Sequence, residues 1–263
     1  MPPPHQPGLS KSTFLMGRQC SKLLWFRYNA KDQIPAPDEA TQAVFDQGKE
    51  VGELAHQLFP GGTIVAPGII NPREVLAQTQ KAIQARRPLY EAAFAFHGGY
   101  ARTDLLVPAD RNAWDLVEVK STTSLKEEVH VPDIAFQAFV LAGAGIKVRK
   151  CFLAHINNEF VRQGAIDPRK FFTLEEVTRP ASGLSRDVGD QLDAMQRVIA
   201  AKSHPIPRSA RTAITLTPAR CMTTAGPPCL RPASSHFTGA QPKPSTSSSG
   251  ASSASTKSPP RSP

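Results

Sequence analysis

Three strand-like runs follow one another with very little chain between them, and they fix the centre of any fold this sequence can adopt. Residues 89–96, 100–107 and 114–120 read as strands, separated only by His97-Gly98-Gly99 and by residues 108–113. Connections this short join antiparallel neighbours, so the stretch reads as a three-strand meander. Helical spacing precedes it. Ser10 or Ser12 can cap a short helix containing Leu15, Cys20, Leu23, Leu24 and Phe26. A second helix is expected over residues 38–58, with Ala43, Val44, Val51, Leu54, Ala55 and Leu58 at helical intervals and Pro60-Gly61-Gly62 to end it. Residues 72–86 give a third, with Val75, Leu76 and Ile83 on one side. After the meander, Pro132 suits the first turn of a helix that Gly143 or Gly145 would stop. A fourth strand over 150–156, a fifth over 159–162 and a last helix over 185–201 complete an α/β order with no internal repeat.

Charge and composition divide the chain. Its 263 residues are 40% hydrophobic, enough for one sizeable core or two small ones, and its formal net charge is +9. Residues 204–263 hold seven Lys or Arg, no Asp or Glu and 11 of the 25 prolines, leaving the rest with 24 basic and 22 acidic residues. The high isoelectric point therefore belongs to the C-terminal segment. That segment, rich in Ser and Pro, cannot bury enough apolar surface to repay its ordering, so we expect a folded body over 9–203 and a disordered basic tail over 204–263. No apolar run approaches the ~20 residues of a membrane span. Residues 1–10 lack the layout of a secretory signal. Four cysteines are too few for a disulfide scaffold. A soluble, cytoplasmic protein with no membrane partner is the expectation.

The second and third strands carry the chemistry. With the turn centred on Arg111, Asp104 and Glu118 are equidistant from it and face each other, their Cβ atoms about 5 Å apart. Lys120 shares that face, whereas Val117 and Val119 point away. Two opposed carboxylates destabilise a sheet unless something neutralises them. A hard divalent cation does so with oxygen ligands, and Mg²⁺ commonly takes one or two carboxylates with phosphate and water. A neighbouring lysine can orient water or offset charge on a phosphate. The same pattern is also that of a solvated strand face. His56, in Gly52-Glu53-Leu54-Ala55-His56, and Gln137, in the helix after Lys120, extend the ordered set.

The set Gly-x-x-x-His, Asp, Glu-x-Lys, Gln resembles the PD-(D/E)xK nuclease superfamily, in particular its RecB-like branch with the CRISPR-associated iron–sulfur exonucleases. The resemblance covers roughly residues 9–200, and it extends to bacterial proteins of unknown function with an N-terminal half of this type. It implies a restriction-endonuclease-like core, a mixed sheet of meander, crossover helix and further strand with helical additions at both ends. It implies Mg²⁺ or Mn²⁺ held by His56, Asp104, Glu118 and the backbone carbonyl of Val119, with Lys120 as the catalytic lysine. Gln137 matches the start of a DNA-contacting Gln-x-x-x-Tyr motif, where Leu141 stands in place of the tyrosine. Glu91, in Tyr90-Glu91-Ala92-Ala93-Phe94, is an accessory carboxylate on the same resemblance. The activity implied is sequence-independent, exonuclease-like hydrolysis of DNA, single-stranded or at its ends. The alternative is an inactive remnant that binds nucleic acid or a partner.

Members of that branch often hold a four-iron cluster on one N-terminal and three C-terminal cysteines. Cys20 matches the first, Cys151 reads as a small core residue, and Cys221 with Cys229 lack the expected run, so the cluster is incomplete in this chain. Codons able to encode residues 208–230 can, read two bases along, give Ile-Gly-Pro-His-Cys-His-His-Pro-Tyr-Ser-Cys-Pro-Leu-His-Asp-Tyr-Cys-Trp. A shift of reading frame near residues 206–208 is thus one origin for the ending, with the wobble bases free. A genuine basic tail with weak, salt-dependent affinity for nucleic acid is the other. The nucleotide sequence separates them.

Overall fold

The computed structural model describes residues 8–110 and 112–205, and the meander forms its centre. β1 (Leu9–Ser10) leads directly into α1 (Lys11–Gln19), followed by α2 (Ser21–Asn29), α3 (Glu39–Ala55), β2 (Thr63–Ile64) and α4 (Pro72–Ala82). The meander is β3 (Leu89–Phe96), β4 (Gly99–Pro108) and β5 (Ala113–Lys120). α5 (Glu127–Gly143), β6 (Lys147–Ile156), α6 (Pro168–Phe171), β7 (Phe172–Glu176), α7 (Thr178–Ser185) and α8 (Val188–Ala200) complete the chain. The sheet order is β2-β3-β4-β5-β6-β7, with β1 against β4 beside that path. β2/β3, β5/β6 and β1/β4 are parallel, and the other pairs antiparallel, so the sheet is mixed as expected.

Local chemistry sets the helix boundaries. The Ser10 hydroxyl accepts from the Thr13 N–H at 3.3 Å and opens α1. Cys20 is extended, and its Sγ accepts from the Leu23 N–H at 3.4 Å, so the single N-terminal helix expected from spacing is two helices capped in turn. Asp38 caps α3 through the Thr41 N–H at 2.8 Å. Short 3₁₀ turns at His56–Leu58 and Ile83–Ala85 continue α3 and α4. Pro132 lies inside α5 rather than in its first turn. The missing N–H leaves the carbonyl of Glu128 without its helical partner, and Glu128 is exposed to water, which makes the position tolerable. Residues 159–162 are not a strand. Asn157 Oδ1 accepts from the Glu159 N–H at 3.0 Å and closes a turn there, and Val161 is exposed. The partner of β6 is instead β7, through Phe152↔Glu176 to Ile156↔Phe172.

The sheet buries apolar residues on both faces. Leu105, Val117, Val119 and Tyr90 pack with Val51 and Ala55 of α3. On the opposite face Leu106 packs with Phe14 of α1 and Phe136 of α5, and Leu116 with Ile134 of α5. Phe14 and Phe136 stack with ring centroids 4.6 Å apart, which fixes α1 against α5. Asp104 and Glu118 share the two-residue phase of Leu106 and Leu116, so both carboxylates project toward α1 and α5. His204 packs on Trp25 and Phe26, one residue past the expected end of the body. The expectations placed on residues 206–263, Cys221 and Cys229 among them, lie outside the described residues.

Candidate functional site

A fork between β4 and β5 creates the site. The ladder between them runs from Pro108↔Trp114 to Leu105↔Val117, the register set by equal spacing about Arg111. Beyond Leu105 a side chain replaces the ladder, for Asp104 Oδ2 accepts from the Val119 N–H at 2.8 Å. In an extended strand a residue's N–H and C=O point to the same edge, so the Val119 carbonyl also opens into the fork. β1 takes the edge of β4 just past it, with Leu9↔Gly99 and Ser10↔Tyr100 in register, and the next residue is Lys11.

Six side chains converge there. Lys11 Nζ donates to both oxygens of Glu118 at 2.8 and 3.0 Å and lies 3.7 Å from Asp104 and 3.9 Å from Asp133. Lys120 Nζ lies 2.6 Å from Glu118 and 2.7 Å from Asp133. Gln137 Nε2 donates to Glu118 at 2.7 Å and to Asp133, one helical turn before it, at 3.0 Å. Glu118, kept ionised by Lys11 and Lys120, can only accept, which sets the amide with its nitrogen toward that carboxylate. The other amide atom, Gln137 Oε1, is then buried with no hydrogen-bond partner among the described residues. Glu118 and Asp133 are sealed, with side chains 0% and 1% exposed, whereas Asp104 at 25% and Lys120 at 31% reach solvent and mark the entrance.

Three carboxylates face two ammonium groups, so the fully ionised cluster is one positive charge short. Asp104 and Asp133 are both raised in response. Burial and the Glu118 carboxylate push Asp104 up to about 7. Burial also works against Glu118, but Lys11 and Lys120 pull it well below the usual carboxylate range. Burial opposes the charge on Lys120 in turn, and Asp133 and Glu118 more than offset it, holding the ammonium above its ordinary value. Lys11 is raised likewise, against its own burial, by Asp104, Asp133 and Glu118. Asp133 is raised by burial and Glu118.

Of the residues expected to hold a divalent ion, Asp104 and Glu118 both lie within 4 Å of Lys11 Nζ, and the Val119 backbone binds Asp104 through its N–H. His56 does not join them. Its ring stacks on Tyr90 at 4.2 Å, on the α3 face of the sheet, and the carboxylate that bears on it is Glu53 of its own helix. Among the described residues no three or more His, Cys, Asp or Glu side chains form a group able to hold a metal ion. The two carboxylates, the missing positive charge and the orphaned Gln137 oxygen fit a cation held by two protein carboxylates and completed by ligands from outside. Glu91 has φ +60° and pairs with Arg102 at 2.9 Å, and Lys11 and Glu118 also bear on its charge. Cys20 is a half-buried helix cap, and Cys151 is a buried core residue whose thiol burial pushes up to about 12.

No protein-family model matches the chain, and no curated protein sequence does. Several solved structures resemble it in fold. An alkaline exonuclease from Laribacter hongkongensis is 11% identical and overlaps 74% of this chain and 88% of its own, with a TM-score of 0.43. A candidate exonuclease from Eubacterium rectale is 10% identical and overlaps 83% and 93%, with a TM-score of 0.45. These overlaps are loose.

Sequence reasoning missed Lys11 and Asp133. Asp133 had a signal, since it precedes Gln137 by four residues and so shares its helix face. Lys11 had none, because only the pairing of β1 with β4 brings it to a site more than ninety residues away.

Proposed function

We propose that this cluster is the active site of a divalent-metal-dependent nuclease that hydrolyses phosphodiester bonds in DNA without regard to sequence, acting on single strands or ends. The observation that carries the reading is the meeting of Asp104 and Glu118 across an open fork, beside Lys120, in a cluster one positive charge short. Asp104, Glu118 and the Val119 carbonyl would hold the ion. When bound, Mg²⁺ or Mn²⁺ supplies Lewis-acid polarisation of a phosphoryl oxygen and lowers the pKa of water. Asp133 and Glu118 hold the Lys120 ammonium above its ordinary value, so it would present that charge to a phosphate oxygen. Gln137 holds Glu118 and Asp133 in place through its two N–H bonds. Phosphates rather than bases would be the target of these contacts.

One observation favours a second reading, a body that binds nucleic acid or a partner without cutting. Both Glu118 oxygens are already engaged by ammonium and amide donors. Incubation of linear and circular DNA, single- and double-stranded, with Mg²⁺ or Mn²⁺ separates the two. Hydrolysis by the parent should fall by about 10²–10³ in Asp104→Asn and Lys120→Met, as when one transition-state contact is removed. Equal activity in parent and variants overturns the assignment. A folded parent that never cuts establishes the second reading.

A further inference from the structure

We infer that Lys11 is the resident counter-cation of the fork, its ammonium standing where a divalent ion would sit between Asp104 and Glu118, so that ion binding requires this side chain to withdraw. The inference rests on reading the cluster as a cation site. Lys11 Nζ lies within 4 Å of Glu118, Asp104 and Asp133, and it is the group that links Asp104 to the other two carboxylates.

Placement strengthens the case. Lys11 is the first residue of α1, and no acidic residue stands in that first turn. A positive charge at a helix N-terminus meets the positive end of the helix dipole, which is locally unfavourable. What offsets it is the set of carboxylates across the fork. The backbone that presents Lys11 is anchored by the Ser10 cap and by the parallel register of β1 on β4, so its position does not depend on a free chain end. The side chain is 23% exposed and reaches the cluster through a flexible four-carbon stem, so withdrawal toward solvent needs no movement of the helix. Beside these carboxylates the Gln137 amide keeps one buried atom, Oε1, with no hydrogen-bond partner among the described residues.

Displacing an ammonium from between two carboxylates weakens any cation that must replace it, since like charges cannot share the place. Mn²⁺ binding to the full chain without DNA, measured by calorimetry and by thermal shift, tests this. Lys11→Met and Lys11→Gln should bind Mn²⁺ about tenfold more tightly than the parent or better, and should gain more in melting temperature on its addition. Lys11→Gln keeps an amide donor for Glu118 and so preserves the fold should Lys11→Met fail to. Lys11→Arg, which retains the charge, should bind no more tightly than the parent. In both neutral variants, adding Asp104→Asn should remove the gain. If the parent binds Mn²⁺ and the neutral variants bind it equally or more weakly, the inference falls while the proposed function stands. If no folded form binds Mn²⁺ and none cuts DNA, both fall.

Discussion

Asp104 is the residue on which the electrostatics of the site turn. Its carboxyl titrates near 7 because burial and Glu118 oppose its charge more strongly than a lysine 3.7 Å away favours it. A folded-state pKa above the unfolded value means that the native state binds the extra proton. The stabilisation is complete below the ordinary carboxylate value of 3.8 and is lost as pH rises through about 7. In chelator, Asp104→Asn should therefore be more stable than the parent above pH 7, and the gap should close as pH falls toward 4. Urea unfolding across that range measures it, and a gap that is constant or widens on acidification refutes the assignment. His130 titrates elsewhere in the same window, since burial and Lys120 push it down to about 4. It is common to both proteins and cancels in the difference. The shared face of Asp104 and Glu118 was legible because a strand period of two and a turn centre leave one register, although the ladder stops at Leu105↔Val117, one pair short of them. Lys11 was not, for nothing local in a sequence announces which distant cation neutralises a carboxylate. His56 followed the resemblance into the ligand set, whereas its ring lies against Tyr90.

Elements were legible where one periodicity ran unopposed, as in β3 to β5, α3 and α8. They were misread where one side chain altered the backbone: Cys20 splitting α1 from α2, Asn157 turning the chain where a strand was expected, Pro132 tolerated within α5. The end of α5 offers a test at this scale. Gly143 is its last residue, and a Cβ there would overlap the ring of Phe96 near the tip of the β3–β4 hairpin. The glycine lets the helix lie close against the hairpin, which holds Asp133 and Gln137 over the fork. Helix propensity alone favours alanine over glycine by roughly 1 kcal/mol. A Cβ at Gly143 would sit inside the Phe96 ring and drive that ring off Phe139, which reverses the sign. Gly143→Ala should therefore destabilise the protein, and in a Phe96→Ala background it should become neutral or stabilising. A double-mutant cycle of unfolding free energies reads the coupling, and additive effects would show that the ring is not the cause.

Along the sequence, the clustered side chains of the fork and most of the net positive charge fall in different stretches. All six groups of the cluster lie between Lys11 and Gln137, inside a sheet with cores on both faces, and His204 packs on α2. Trp25 Nε1 donates to the Ala201 carbonyl at 2.8 Å, and Asn29 Nδ2 to that of Ile199 at 3.1 Å, so the end of α8 is tied to α2 before residue 206 is reached. The near-neutral balance of residues 1–203 and the basic balance of residues 204–263 follow from a count of charges along the sequence. The seven basic residues beyond Pro205 supply most of the net +9. A chain ending at Pro205 should keep its melting temperature and its response to Mn²⁺, since the buried packing and the fork are retained. It should bind DNA more weakly, and its logarithmic dependence on salt should be shallower by about 0.7–0.9 for each phosphate that the basic ending no longer neutralises. Fluorescence anisotropy over a salt series gives the slope. An unchanged slope would place the nucleic-acid interface on the body, around Lys11, Lys120 and Arg102, and a collapse of the melting transition would make the ending part of the fold.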